Sequence, residues 1–374
     1  MIGTPVLLQM KSHSNKYMNR YTIFNMTQKS IAAVLFGLLL IVVSCQRENL
    51  PSTGSEMDNL TPIEFSGITA TLQTKGDEGT GSSTLPSDFT YFKVWAQNGS
   101  DNAVFGSTGT DVRTTDAGAT WTYTPVRYWK TGTYNFYAVA PESKATGTLG
   151  STGVTLTFSN GWNLSTETTQ TDLLFASAQI TGDDQVNKDG GPDKVDLTFD
   201  HMLSKISFSA RNAAADGITL AVTAVRVYGL NKTAKSVLIN SSGDTTWGLE
   251  SASTNESPFK TVSHATAVTL TRQTAVVNGV TGYEYKRICE PFMVFPETES
   301  FVVEVSYNQT KGSTTTSATE KATISTPRAT GYEYDFKLMV TENGITIDDE
   351  PSVTPWVSTD SNNNNLVADG PITM

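Results

Sequence analysis

Asp200 and His201 stand side by side in "FDHMLSKI". A histidine beside a carboxylate is the smallest unit that could act as a general base, since imidazole takes up a proton near neutral pH. The same pair also suits a structural histidine hydrogen-bonded at a strand end, and no nucleophile lies nearby in the sequence. His264 is the only other histidine after residue 45, too few for a histidine-rich metal site. The run "DDQVNKDGGPD" offers Asp183, Asp184, Asp189 and Asp193 to a hard cation. It lacks the spacing and the closing bidentate glutamate of a calcium loop and reads as solvated. Walker loop, HExxH, GxSxG and paired CxxC patterns are all missing. Two carboxylates for glycoside hydrolysis could converge from any part of a β fold, but the sequence singles out no pair. No enzyme is read here, and no metal or cofactor is expected.

"TTDAGATW" (114–121) fits the Asp-box pattern of sialidase-type β-propellers, S/T-x-D-x-G-x-T-W. Asp116 would hydrogen-bond the turn, Gly118 would permit positive φ, and Trp121 would pack behind it. The motif stabilises a hairpin and catalyses nothing. It occurs once, "DTTW" (244–247) being a poor echo, and no blade-length repeat accompanies it. It reads as a hairpin turn.

The two cysteines differ in setting. Cys289 lies in "YKRICEPFMVF" and reads as a small core residue. Cys45 ends the apolar run Ile31–Val43, thirteen residues without charge. A spanning helix needs about 20 residues to cross roughly 30 Å of hydrocarbon, so this run has signal-peptide length, with Lys29 as its positive flank. Met26 is then the expected start, leaving residues 1–25 as upstream sequence and 26–44 as a signal peptide. Val42-Val43-Ser44-Cys45 resembles a bacterial lipobox, which implies cleavage between Ser44 and Cys45 and acylation of Cys45. Each buried acyl methylene contributes about 0.8 kcal/mol, and more than one chain makes anchoring stable.

The leader holds four of the 26 basic residues and no acid, leaving 22 basic against 37 acidic residues, a net of −15. Such a surface repels phosphate backbones, so nucleic acid is excluded as a partner.

The elements that must carry these residues are strands. Residues 45–60 are polar, with Pro51 and Gly54, and read as a flexible tether. Ile63 and Phe65 alternate, then Ile68, Ala70 and Leu72 alternate in the other phase, so a bulge or sharp bend is expected at Gly67. Strand runs follow at 91–96, 134–140, 154–158, 195–199, 218–222, 225–228, 292–295, 301–307 and 332–340. In the last run, Tyr332, Tyr334, Phe336, Leu338 and Val340 line one face. No segment after residue 45 keeps a helical period over ten residues. The expected class is all-β, with two tandem sandwich-like domains after the signal peptide, 61–196 and 197–374, the second ending in a polar tail.

"WTYTPVRYWKTGTYNFYAVAPES" (121–143) resembles the fimbrillin family of Bacteroidetes, the lipoprotein subunits of type V pili. "DLLFA" (172–176), "FDHMLSKISF" (199–208), "GITIDDEPSVTPW" (344–356) and the opening "IEFSGITATLQTK" (63–75) match in the same order. Physically, Tyr128, Trp129, Tyr134, Phe136 and Tyr137 are a dense aromatic cluster suited to a sandwich core.

The resemblance implies transthyretin-like Greek-key sandwiches and a cell-surface fimbria serving adhesion. In stalk subunits of the family a lipidated precursor reaches the outer membrane and is cut after a basic residue. Its first strand leaves, and a strand of the next subunit fills the gap. Carried onto this chain, the basic sites are Lys75, after the first strand, and Arg47, within the tether. The C-terminal segment carrying Ile345, Ile347, Val353 and Trp356 is the candidate donor strand. The implied partners are other fimbrial subunits, the outer membrane through the lipid, and a host or bacterial receptor of unknown identity. The alternative function is a glycan-binding surface lipoprotein, for which Trp95, Trp162, Trp247 and Trp356 could form a platform. A sialidase-like or other glycoside hydrolase ranks behind both.

Overall fold

β-branched and aromatic runs separated by glycine-bearing turns favour strands, because such side chains pack well on a pleated surface. The computed structural model describes residues 61–71, 82–83, 89–99, 104–141, 146–164, 170–186, 188, 191–254, 256–272, 274–277, 280–348 and 350–356. In chain order the strands are β1 (Phe65–Thr71), β2 (Ser82–Ser83), β3 (Tyr91–Asn98), β4 (Thr110–Arg113), β5 (Thr133–Ala140), β6 (Thr146–Leu149), β7 (Gly153–Asn163), β8 (Leu174–Thr181) and β9 (Val195–His201). Then come β10 (Ser204–Asn212), β11 (Ile218–Tyr228), β12 (Asn231–Asn240), β13 (Thr245–Ala252), β14 (Lys260–Thr269), β15 (Thr274–Val277) and β16 (Val280–Tyr283). The last six are β17 (Lys286–Val294), β18 (Phe301–Lys311), β19 (Thr314–Ile324), β20 (Tyr332–Thr341), β21 (Gly344–Ile347) and β22 (Ser352–Pro355). Among the described residues there is no α-helix, only a 3-10 turn at Gly182–Asp184.

The first sheet runs β2-β1-β9-β8-β5-β3-β4. Its weak joint is β8 to β9, where only Leu174↔His201 and Phe175↔Asp200 pair. About that joint the sheet folds over, so Phe199 of β9 meets Phe92 of β3 at 5.6 Å. The space between holds an aromatic core of Phe65, Phe92, Phe105, Trp121, Trp129, Tyr134 and Phe136. Successive strand residues face opposite sides, so Trp95 and Tyr137 fall into a second, larger core. There Trp95 lies over Gly147 of β6, where an added Cβ would stand 2.1 Å from the ring.

The second sheet runs β13-β12-β7-β6. It joins strands from either side of residue 197, which itself lies inside β9. Two further sheets, β17-β10-β20-β21 with β22 also on β20, and β14-β11-β18-β19, form a sandwich. Phe208 and Phe336 of one layer pack on Phe301 of the other, at 6.4 and 5.5 Å.

The expected bend is present: Gly67 has φ +56° and the β1–β9 register shifts between Ser66 and Thr69. The face 332–340 alternates as expected, with Tyr334, Phe336, Leu338 and Val340 buried and Tyr332 half-buried. Cys289 is buried beside Ile288 in the larger core. Two expectations are corrected. Residues 218–222 and 225–228 are one strand, β11, interrupted only by a register shift near Val222. Tyr128 is 41% exposed and not a core residue, because Pro62↔Tyr128 pairing turns its side chain outward while Trp129 points in.

Candidate assembly site

Residues 61–71 lead into β1, the strand next to the margin of the first sheet. Ile63 and Phe65 are 1% and 3% exposed. The Phe65 ring touches Phe92 at 5.6 Å, Tyr123 at 5.8 Å, Phe105 at 5.9 Å and Phe136 at 6.2 Å. β1 lies parallel to β9, and Val195 donates to the Glu64 carbonyl at 2.7 Å. Upstream, Trp129 donates to the Thr61 carbonyl and Ile63 to that of Arg127. The Tyr123 hydroxyl donates to the Ile63 carbonyl at 2.7 Å, and burial pushes that phenol up. Among the described residues, only the two-residue β2 is paired on the outer side of β1.

The C-terminal segment is the other candidate of the sequence reading. β21 and β22 both run antiparallel along β20 of the same chain: Val340↔Ile345 and Tyr334↔Val353 are in register. Ile345 and Trp356 are buried, Val353 is half-buried and Ile347 is exposed. Two side chains fasten this strap. Asp348 accepts hydrogen bonds from Arg211 through Nε and, at 2.9 Å, through Nη2, and from the Tyr285 hydroxyl at 2.6 Å. Arg211 holds the Asp348 carboxyl below its usual range, while burial and that carboxylate push Tyr285 up to about 12. Trp356 lies parallel to His201, with ring centroids 4.3 Å apart, and the Lys205 ammonium sits 4.2 Å from its centroid.

His201 ends β9 and bonds through Nδ1 to Asp172. It is the hydrogen-bonded strand-end histidine of the sequence reading, with a partner 29 residues upstream. A cleft of about 450 Å³ opens beside it, walled by Asp200, Asp244, Arg328 and Trp356 among others. Arg328 is itself buried against Glu297 at 3.7 Å; burial lowers the arginine and raises the glutamate.

The Asp-box-like turn is a stabilised turn flanked by the Arg113↔Thr122 bridge. The Asp116 carboxylate accepts from the Thr120 amide at 2.8 Å and the Thr114 hydroxyl at 2.7 Å, Gly118 has φ +89°, and Trp121 is buried. Asp193 pairs with Lys188 and Gln185, and Asp183 and Asp184 sit in the 3-10 turn, whereas Asp189 lies outside the described residues. Trp95 and Trp162 are buried and Trp247 is half-buried. Ser44, Cys45, Arg47 and Lys75 also lie outside the described residues. Sequence reasoning missed Arg211, Tyr285 and Asp348 as strap contacts and Asp172 as the partner of His201; the alternation of Ile345 and Ile347, with Val353 ahead of Trp356, signalled a strand there.

A family model described as fimbrillin-like matches residues 84–356. The chain belongs to the fimbrillin-like family. Among solved structures this fimbrillin-like chain is similar to a fimbrial protein from Bacteroides vulgatus ATCC 8482, with 16% identity and a TM-score of 0.44 over 79% of this chain and 100% of that one. It is also similar to the fimbrial anchor protein Mfa2 from Porphyromonas gingivalis, with 12% identity and a TM-score of 0.36 over 79% and 98%. No curated protein matches it. Family membership supports a cell-surface fimbrial subunit that assembles with other subunits.

Proposed function

We propose that this fimbrillin-like chain is a structural subunit, stalk or tip, of an adhesive cell-surface fimbria assembled by protease-triggered strand exchange. It is exported under the signal 26–44, acylated at Cys45 and held on the outer membrane. Cleavage after Lys75 frees the first strand, and cleavage after Arg47 would only release the lipid. A strand from a neighbour then enters beside β9, and the 344–356 segment, with Ile345, Ile347, Val353 and Trp356, is the strand this chain can lend.

The observation that carries this reading is Phe65. One edge strand, nearly free on its outer side, supplies the ring at the centre of an aromatic core. Burying a phenylalanine contributes about 1.5–3 kcal/mol, so the emptied slot favours any strand that restores the ring. Side chains at alternate positions give the incoming strand its register.

The test is mass spectrometry of protein sheared from cells, reading its N-terminus. Fibre protein beginning after Lys75 is the expected result. Fibre protein still carrying residues 63–73 covalently would sink the strand-exchange reading.

A further inference from the structure

Among the described residues the strap β21–β22 is the outer margin of its sheet, and β20 is the only strand it pairs with. β21 makes four register pairs with β20 and so does β22. Margins this short fray unless side chains hold them. Asp348 sits where the strap leaves β21, and its amide donates to the Lys337 carbonyl at 3.0 Å. Its carboxylate does not stop at β20. It meets Arg211 of β10 and the Tyr285 hydroxyl beside β17, so one side chain ties the strap to the two strands beyond. Arg211 is held in turn: its guanidinium lies 3.8 Å from the Tyr283 ring centroid and its Nη2 contacts the Met339 sulfur. Two-point Arg–carboxylate bonding is directional as well as strong, and here both partners are mostly shielded from water.

We infer that Arg211 and Tyr285 form a carboxylate lock whose key is Asp348, and that this lock keeps the C-terminal strap on its own sheet until assembly. The inference rests on the reading that 344–356 can be lent to a neighbour. It adds the element that decides when. Main-chain pairing with β20 sets where the strap lies; the lock sets how often it leaves. Trp356, stacked on His201, fastens the far end and stays in place when the lock opens, so the bend at Asp348 is the point where detachment starts.

The experiment is hydrogen–deuterium exchange by mass spectrometry on the soluble chain from residue 46 onward. Asp348→Asn is expected to raise exchange in 344–348 at least tenfold while amides of β9 and β18 keep their protection. Arg211→Gln should match it, and the double variant should not exceed either single one, because the two residues act as one unit. Unchanged exchange at 344–348 in Asp348→Asn overturns the lock, and so does an equal rise over the whole chain. Should either variant fail to fold, Tyr285→Phe, which removes one hydroxyl, decides by the same readout. Mixing each variant with protein trimmed at Lys75 separates the two readings. A loosened strap with faster strand transfer supports both. A loosened strap with no transfer keeps the lock and rejects the lending of 344–356.

Discussion

Gly67 and Asp196 are so close that a Cβ built on the glycine would stand 2.4 Å from the carboxylate oxygen of Asp196. Gly67 also holds φ +56°, a left-handed conformation that costs L-residues roughly 1–2 kcal/mol. Strain and clash add, so Gly67→Ala is expected to destabilise the chain by about 2 kcal/mol or more. Urea unfolding measures it. The loss should come with weakened protection of β1 rather than of the β10–β20 sandwich, since the bulge is what lets Ile63 and Phe65 on one side of it and Ile68 on the other all pack against the same core.

Phe65→Ala removes the ring shared by Phe92, Phe105, Tyr123 and Phe136. A buried Phe→Ala change costs about 3–5 kcal/mol. The uncleaved chain is expected to lose that amount in denaturant unfolding. Protein already trimmed after Lys75 should show no difference between variant and parent, because the ring has gone with the strand. A full effect in trimmed protein would show that the strand had not left.

Glu297 and Arg328 are a buried pair, with side chains 3% and 0% exposed. Arg328 has neutral partners besides: carbonyls of Thr326 and Glu299 accept from it at 3.3 and 3.2 Å, and its guanidinium lies 4.8 Å from the Phe301 ring centroid. Breaking such a pair by removing one partner costs about 3–5 kcal/mol, because an uncompensated charge stays behind. Glu297→Ala is expected in that range by chemical denaturation. Replacing both residues by Leu and Met should recover much of it, which a single-residue packing effect would not do.

Strands whose apolar residues alternate without a break were legible from the sequence; β12, with Ala234, Val237 and Ile239 buried across a register shift, was not, and neither was β19. β9 and the 154–158 part of β7 alternate buried and exposed, and both were visible as "VDLTF" and "VTLTF". β19, "TTTSATEKATI", is exposed over most of its length. Its threonines suit a strand, but the inner face is half-buried at Ala318, Glu320 and Ala322 and buried only at Ile324, so small and charged residues leave a weak period-two signal. The bulge at Gly67 was legible because a phase slip is local. The strap contacts were not, since Asp172, His201 and Trp356 meet from three distant segments, and only the folded sheets bring them together.

The lock predicts a two-sided pH profile. Asp348 has its carboxyl lowered from 3.8, chiefly by hydrogen bonds from Arg211. A lowered acid gives stability that is present above its unfolded value and lost as pH falls through its folded value. Tyr285 is raised from 10.0 to about 12, first by burial and then by the Asp348 carboxylate. Its contribution is complete below pH 10 and lost as pH rises through about 12. Parent and variants are therefore compared by urea midpoint from pH 2 to 12. Asp348→Asn should shrink the loss of stability below pH 4 relative to the parent, whose other carboxylates continue to titrate. Tyr285→Phe should flatten the part of the alkaline loss between pH 10 and 12 and, because its hydroxyl also helps to lower the Asp348 carboxyl, shrink the acid loss by less than Asp348→Asn does. Acid limbs that superimpose in parent and Asp348→Asn would mean that the carboxylate is not held by Arg211 in solution.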